Sequence, residues 1–102
     1  MFEKSLIESH RAWWEWLERA RQKTQEALAL DPGWSLTNTI KAQLDFMESC
    51  VANGRSPTKE EALRVTLGVI AMRNLEDSCP DYALLLQEVG YAFKYWDKLP
   101  ET

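Results

Sequence analysis

Few side chains in this 102-residue chain are equipped for chemistry. His10 is its one His, Cys50 and Cys79 are its two Cys, and sixteen Asp and Glu stand against twelve Lys and Arg. His10 falls within an apolar helical stripe, with no Cys or carboxylate at metal-ligand spacing, and reads as a satisfied histidine of the core or its edge. The two Cys are too few and too far apart for a disulfide framework or a zinc clip. Free Cys is among the most buried residue types, so both are expected to be reduced and structural. The chain has no Gly-rich phosphate loop, GxSxG elbow, HExxH, CxxC, EF-hand loop or Glu-x-x-His pair. The expectation is a protein that is not an enzyme, with no catalytic residue, metal or cofactor.

The remaining chemistry is recognition by charge and by aromatic rings. Between Asn74 and Phe93 lie four acids, Glu76, Asp77, Asp81 and Glu88, and no Lys or Arg. The rest of the chain carries twelve acids and twelve bases, so the formal charge of −4 belongs to this one segment. Asp81 suits the positive end of a helix, and Ser78 with Asp81 can form a capping pair. Glu76 and Asp77 follow a helix C-terminus, where the dipole disfavours them, which is a hint of use elsewhere. By contrast Arg11, Arg19, Arg21 and Lys23 are interleaved with Glu8, Glu15, Glu18 and Glu26, so their field cancels within a Debye length and nucleic acid finds no basic face. Five Trp in so short a chain is the other anomaly, because Trp is over-represented where proteins grip one another.

These groups are positioned by helices. With 45% apolar and 27% charged residues the chain has the composition of a globular domain, and its length fits one core over residues 1–102. Pro32-Gly33, Gly54 with Pro57, and Pro80 divide it into four stretches, with Pro100 near a frayed end. The apolar periodicity predicts an all-α, compact four-helix antiparallel bundle over about 3–30, 35–52, 59–76 and 79–98, with the third helix central. Helix one carries Phe2, Leu6, His10, Trp13, Leu17, Ala20, Thr24, Ala27 and Leu28 on one stripe, with Trp14 and Trp16 on its shoulders. Helix two, which Ser35 can cap, carries Leu36, Ile40, Leu44, Met47 and Val51, leaves Phe46 off the stripe, and stops at Asn53-Gly54. Thr58-Lys59-Glu60-Glu61 is a capping box that opens helix three. That helix is apolar nearly all round, and Gly68 inside it suits a close helix approach. Helix four has the core stripe Tyr82, Leu85, Leu86, Val89, Ala92, Phe93 and Trp96, and a second stripe of Leu84, Tyr91 and Tyr95 beside Glu88.

No apolar run approaches the roughly 20 residues that cross a bilayer. The opening Met1-Phe2-Glu3-Lys4-Ser5, charged again at Glu8, lacks the regions of a signal peptide, so no membrane is expected and the location is expected to be cytoplasmic.

The block from Thr66-Leu67-Gly68-Val69-Ile70-Ala71 through Glu76-Asp77-Ser78-Cys79-Pro80-Asp81-Tyr82 resembles a small all-helical immunity family of bacterial type VI secretion. In that family a TLGxIA helix runs into an acidic turn and a Pro-acid pair opens the last helix. Asp31-Pro32-Gly33-Trp34 with Gln43-Leu44-Asp45-Phe46-Met47 is similar to the family's second helix; helix one resembles it least. A well-known relative inhibits an NAD(P)-glycohydrolase effector. The resemblance implies a stoichiometric antitoxin, forming a heterodimer with a cognate toxin and blocking its nucleotide pocket; a nucleotide pyrophosphokinase toxin is the alternative target. A toxin that binds nucleotide phosphates is expected to present a basic cleft, and an acidic turn flanked by aromatics is its physical counterpart. Glu76, Asp77, Asp81 and Glu88 are therefore the candidate charge contacts, and Tyr91, Tyr95, Trp14 and Trp16 the candidate aromatic anchors. The alternative reading is a helical-bundle adaptor that self-associates through the second stripes of helices three and four.

Overall fold

The first helix begins where Ser9 places its hydroxyl to accept the Ala12 backbone N–H at 3.0 Å. In the computed structural model, which describes residues 6–100, α1 runs His10–Leu30, α2 Ser35–Val51, α3 Lys59–Arg64, α4 Leu67–Asn74 and α5 Pro80–Lys94. Short 3-10 turns follow α2 at Ala52–Gly54 and α5 at Trp96–Lys98. No strand forms among the described residues, in keeping with the all-α expectation.

The expected start of helix one near residue 3 is not met over residues 6–9, which are irregular. Phe2 and residues 3–5 lie outside the described residues. Because the chain enters the helix extended, Ile7 is fully buried and Leu6 exposed, a reversal that a helical stripe drawn back through Leu6 missed. From His10 onward the stripe holds: Trp13, Leu17, Ala20 and Thr24 are buried. In α2, Ile40, Leu44, Met47 and Val51 are buried as expected, with Cys50 beside them. Ser35 lies inside that helix rather than capping it. Its N-cap is Trp34, and Asn38 supplies the side-chain hydrogen bonds there, donating from Nδ2 to the Pro32 and Trp34 carbonyls at 3.2 and 3.1 Å. Asn53 and Gly54 take φ of 62° and 77°, the left-handed stop that their types favour.

The segment expected as one central helix over 59–76 forms two. The Thr58–Glu61 capping box is present in full, but α3 ends at Arg64. Val65 turns extended, with φ −86° and ψ 118°, and α4 restarts at Leu67. The break is held from outside, because Gln43 of α2 meets Thr66 twice: Gln43 Nε2 donates to Thr66 Oγ1 at 2.7 Å, and the Thr66 backbone N–H donates to Gln43 Oε1 at 2.9 Å. The two helices do not lie buried on all sides. Val65, Leu67 and Ala71 face the core, while Leu63, Val69 and Met72 are exposed. The central place goes to α5, which packs against α1, α3 and α4 and buries Tyr82, Leu85, Leu86, Val89, Ala92, Phe93 and, beyond its end, Trp96.

One residue ties α1 to α5. Trp13 is fully buried, donates from Nε1 to the Val89 carbonyl at 3.0 Å, and sits 6.3 Å from the Phe93 ring and edge-on to Trp96 at 5.1 Å. His10 has the core-edge role its position suggested. Its ring stacks on Trp96 at 4.0 Å, its Nε2 bonds to the Trp96 carbonyl at 2.9 Å, and its backbone N–H donates to the Pro100 carbonyl at 2.8 Å. Pro100 is thus tied to α1 rather than frayed.

Candidate functional site

The spacing of α5 draws its outward residues into a line. Asp81, Leu84, Glu88 and Tyr91 follow at steps of three and four, and Tyr95, the C-cap, continues the series. Leu84 and Tyr95 are 44% and 38% exposed. Tyr91 is half-buried and its ring lies 4.8 Å from that of Tyr95, tilted by 49°. The inner stripe of the same helix is spent on the core, so this line is what α5 offers outward.

Glu76 and Asp77 lie in the turn between α4 and α5, at the head of the line. Both are exposed, as is Asp81, and no residue among those described pairs with any of the three. The expected Ser78–Asp81 capping pair does not form. Cys79 is the N-cap without a side-chain hydrogen bond, its backbone N–H donates to the Leu75 carbonyl at 2.7 Å, and Pro80 opens the helix. Glu76 and Asp77 thus follow the unfavourable C-terminus of α4 but shortly precede the favourable N-terminus of α5, so dipole energetics disfavour them less than the sequence suggested. Cys79 is exposed, contrary to the expected burial of both thiols; Cys50 is buried, and both are free.

The structure groups Glu76, Asp77, Asp81, Glu88, Tyr91 and Tyr95 on α5 and the turn before it, and sets the two Trp candidates apart on α1. Glu88 is not simply a surface charge: its Oε1 accepts the Leu6 backbone N–H at 2.8 Å, holding the lead-in to α1 against α5. Trp14, 38% exposed, stands edge-on to Trp13 at 5.2 Å and lines a separate cleft of about 440 Å³ with His10, Arg55 and Trp96. In that cleft Arg55 is held by the Cys50 carbonyl and by Glu61 at 2.6 Å. Trp16 is half-buried against the core, with the Arg19 guanidinium 5.7 Å above its ring. Phe46 is likewise packed against the core, under Arg64 at 4.8 Å.

Beside the α5 line runs a groove that the sequence did not disclose. It holds about 360 Å³ between α4 and α5, with Val65, Gly68, Val69, Met72, Gly90 and Tyr91 among its walls, Glu88 at one side and Lys94 at the end of α5. The close approach lies at Gly90, where an added Cβ would sit 3.5 Å from the Gly68 amide nitrogen and from Leu67 Cβ. Gly68 is a wall of the groove: a Cβ there would meet nothing within 4 Å. The sequence signals this position by its Gly, and the structure gives it open space on the side of its missing Cβ rather than the expected close helix contact.

Among the described residues no three of His, Cys, Asp and Glu are placed to hold a metal ion, and no helix is long and apolar enough to cross a membrane. The α4–α5 surface sets the exposed acids Glu76, Asp77 and Asp81, a line of Leu and Tyr, and an apolar groove side by side.

The family model Tsi6 matches residues 14–95. No curated protein and no solved structure matches the chain. The match runs from Trp14 to Tyr95 and so includes every candidate binding residue, together with most of α1, where the sequence showed least resemblance. With its match over residues 14–95, this chain belongs to the Tsi6 family, whose members are type VI secretion immunity proteins.

Proposed function

We propose that this protein binds the catalytic domain of its cognate type VI toxin as a one-to-one heterodimer in the cytoplasm and covers the toxin's nucleotide pocket. The toxin is an NAD(P)-glycohydrolase or another enzyme acting on a nucleotide. The observation that carries this reading is the α5 face: Asp81, Leu84, Glu88, Tyr91 and Tyr95 in one line, headed by Glu76 and Asp77, with no Lys or Arg from Asn74 to Phe93. Exposed acids among aromatic rings complement a cleft built to hold phosphates. Charge of this kind speeds association and selects partners as well as adding affinity.

The test is co-expression with a type VI NAD(P)-glycohydrolase toxin domain, and with the toxin domain of any effector encoded beside this chain's gene. The wild-type chain is expected to restore growth, and Glu76→Lys with Asp77→Lys is expected to weaken binding by at least tenfold in calorimetry at low salt, with the loss shrinking as salt rises. Unchanged affinity in the double variant would remove the charge contact. Growth arrest in the presence of the wild-type chain would remove the antitoxin reading for that toxin.

A further inference from the structure

Exposed apolar residues are ordinary when scattered, but here they border one hollow. Val69 is 51% exposed and Met72 57%, on one α4 face beside the roughly 360 Å³ groove, and Gly68 supplies no side chain to fill it. Met is adaptable and recurs on surfaces that receive a partner's side chains. The volume suits one large apolar side chain rather than a flat contact.

The charges around the groove decide what can enter. Glu88 stands in its wall, the line from Asp81 to Tyr95 runs beside it, and the hairpin from Asn74 to Phe93 carries four acids and no base. Arg73 and Lys94 lie just outside that stretch, Arg73 next to Met72 and Lys94 lining the groove where α5 ends, so the groove's own wall is balanced and the acidic excess comes from Glu76, Asp77 and Asp81. A second copy of this chain on the groove would set one acidic hairpin against another, an unfavourable meeting of like charges. A partner with an apolar side chain flanked by Lys or Arg meets both the hollow and the field.

We infer that the α4–α5 groove is the anchor pocket for the toxin: it receives one large apolar or aromatic side chain of the toxin domain, whose flanking basic residues meet the acidic α5 line. This rests on the proposed antitoxin function and adds the apolar hot spot that charge alone does not supply.

Gly68→Leu tests it cleanly. The new side chain enters open space from a helical position where Leu is favoured over Gly, so the melting temperature should stay level or rise. Binding to the purified toxin domain that the wild-type chain neutralises should fall at least a hundredfold. As a second probe on the exposed surface, Met72→Lys should bind at least tenfold more weakly than Met72→Glu at low salt, and the gap should close at high salt. If the wild-type chain binds the toxin and Gly68→Leu binds equally well, the groove inference fails while the antitoxin function stands. If the two Met72 variants bind alike, the basic flank is wrong. If the free wild-type chain is a dimer that Gly68→Leu dissolves, the groove is a self-interface and the inference fails. If the wild-type chain does not bind the toxin, the function itself fails and the inference with it.

Discussion

Trp13 shows how much of the packing one side chain can organise. It fills the space between α1 and α5, reaches Phe93 and Trp96 with its ring, and meets the Val89 carbonyl with its indole N–H. Trp13→Phe keeps an aromatic ring but removes the donor and part of the volume. The expected cost is about 2 kcal/mol, a drop of roughly 1 M in the urea midpoint. Trp14, next in sequence and 38% exposed, should change stability little when replaced by Phe, so the pair reads out core against surface. Periodicity made this division legible, since residues 13 and 14 are about 100° apart on a helix. Cys79 was not legible in the same way. Its type favours burial, but its place at the N-cap of α5, in an exposed turn, decided otherwise.

At the scale of elements, the informative feature is the break between α3 and α4. Local propensity from Lys59 to Asn74 leans helical, weakened by Gly68 and by the β-branched Val65, Thr66, Val69 and Ile70. The interruption is secured by Gln43, seventeen residues upstream of Glu60 in sequence and on another helix, through its two hydrogen bonds with Thr66. Gln43→Ala should leave the Thr66 amide without its side-chain partner. Its hydrogen exchange is expected to accelerate at least tenfold, with a global loss of about 1 kcal/mol. If the amide exchanged unchanged, the break would be intrinsic to α3 and α4. The consequence for the site is direct: α4 as a separate short helix can bury Leu67 and Ala71 against α5 while presenting Val69 and Met72 beside the groove.

Across the whole molecule, titration couples these elements. Burial works to raise the Asp45 carboxyl, but hydrogen bonds from Lys41 and Arg21 outweigh it and hold the group below its ordinary value. Arg21 also reaches Glu48, so α1 and α2 are joined by charge. Glu61 is held down first by the Thr58 backbone N–H and then by Arg55. Both carboxylates are more acidic folded than unfolded, so their contribution is present above the ordinary carboxylate range and is lost as pH falls through their lowered values. On the alkaline side, burial pushes the Tyr82 phenol up against the opposing effect of its 2.6 Å hydrogen bond with Thr24. Its neutral folded form therefore contributes below the ordinary phenol range, and that contribution fades as pH rises through the raised value. Urea midpoints should accordingly be flat near neutrality and decline at both extremes. Asp45→Asn should reduce the acid-side slope, which a pH series of denaturation curves would record.

The all-helical class, the stripes of α1, α2 and α5, the capping box, the left-handed stop at Asn53-Gly54 and the concentration of charge between residues 74 and 93 were all determined by the sequence alone. Each depends on residues within a few turns of one another, where side-chain spacing and local hydrogen bonding suffice. The start of α1 at His10, the division of the third segment, the tie between Glu88 and Leu6 and the existence of the groove were decided only by tertiary structure. Each depends on groups far apart in the chain: Gln43 with Thr66, Glu88 with Leu6, Gly68 beside Gly90. An apolar residue states that it can be buried, but only the arrangement of its neighbours decides whether it is, and for Val69 and Met72 the neighbours leave a hollow.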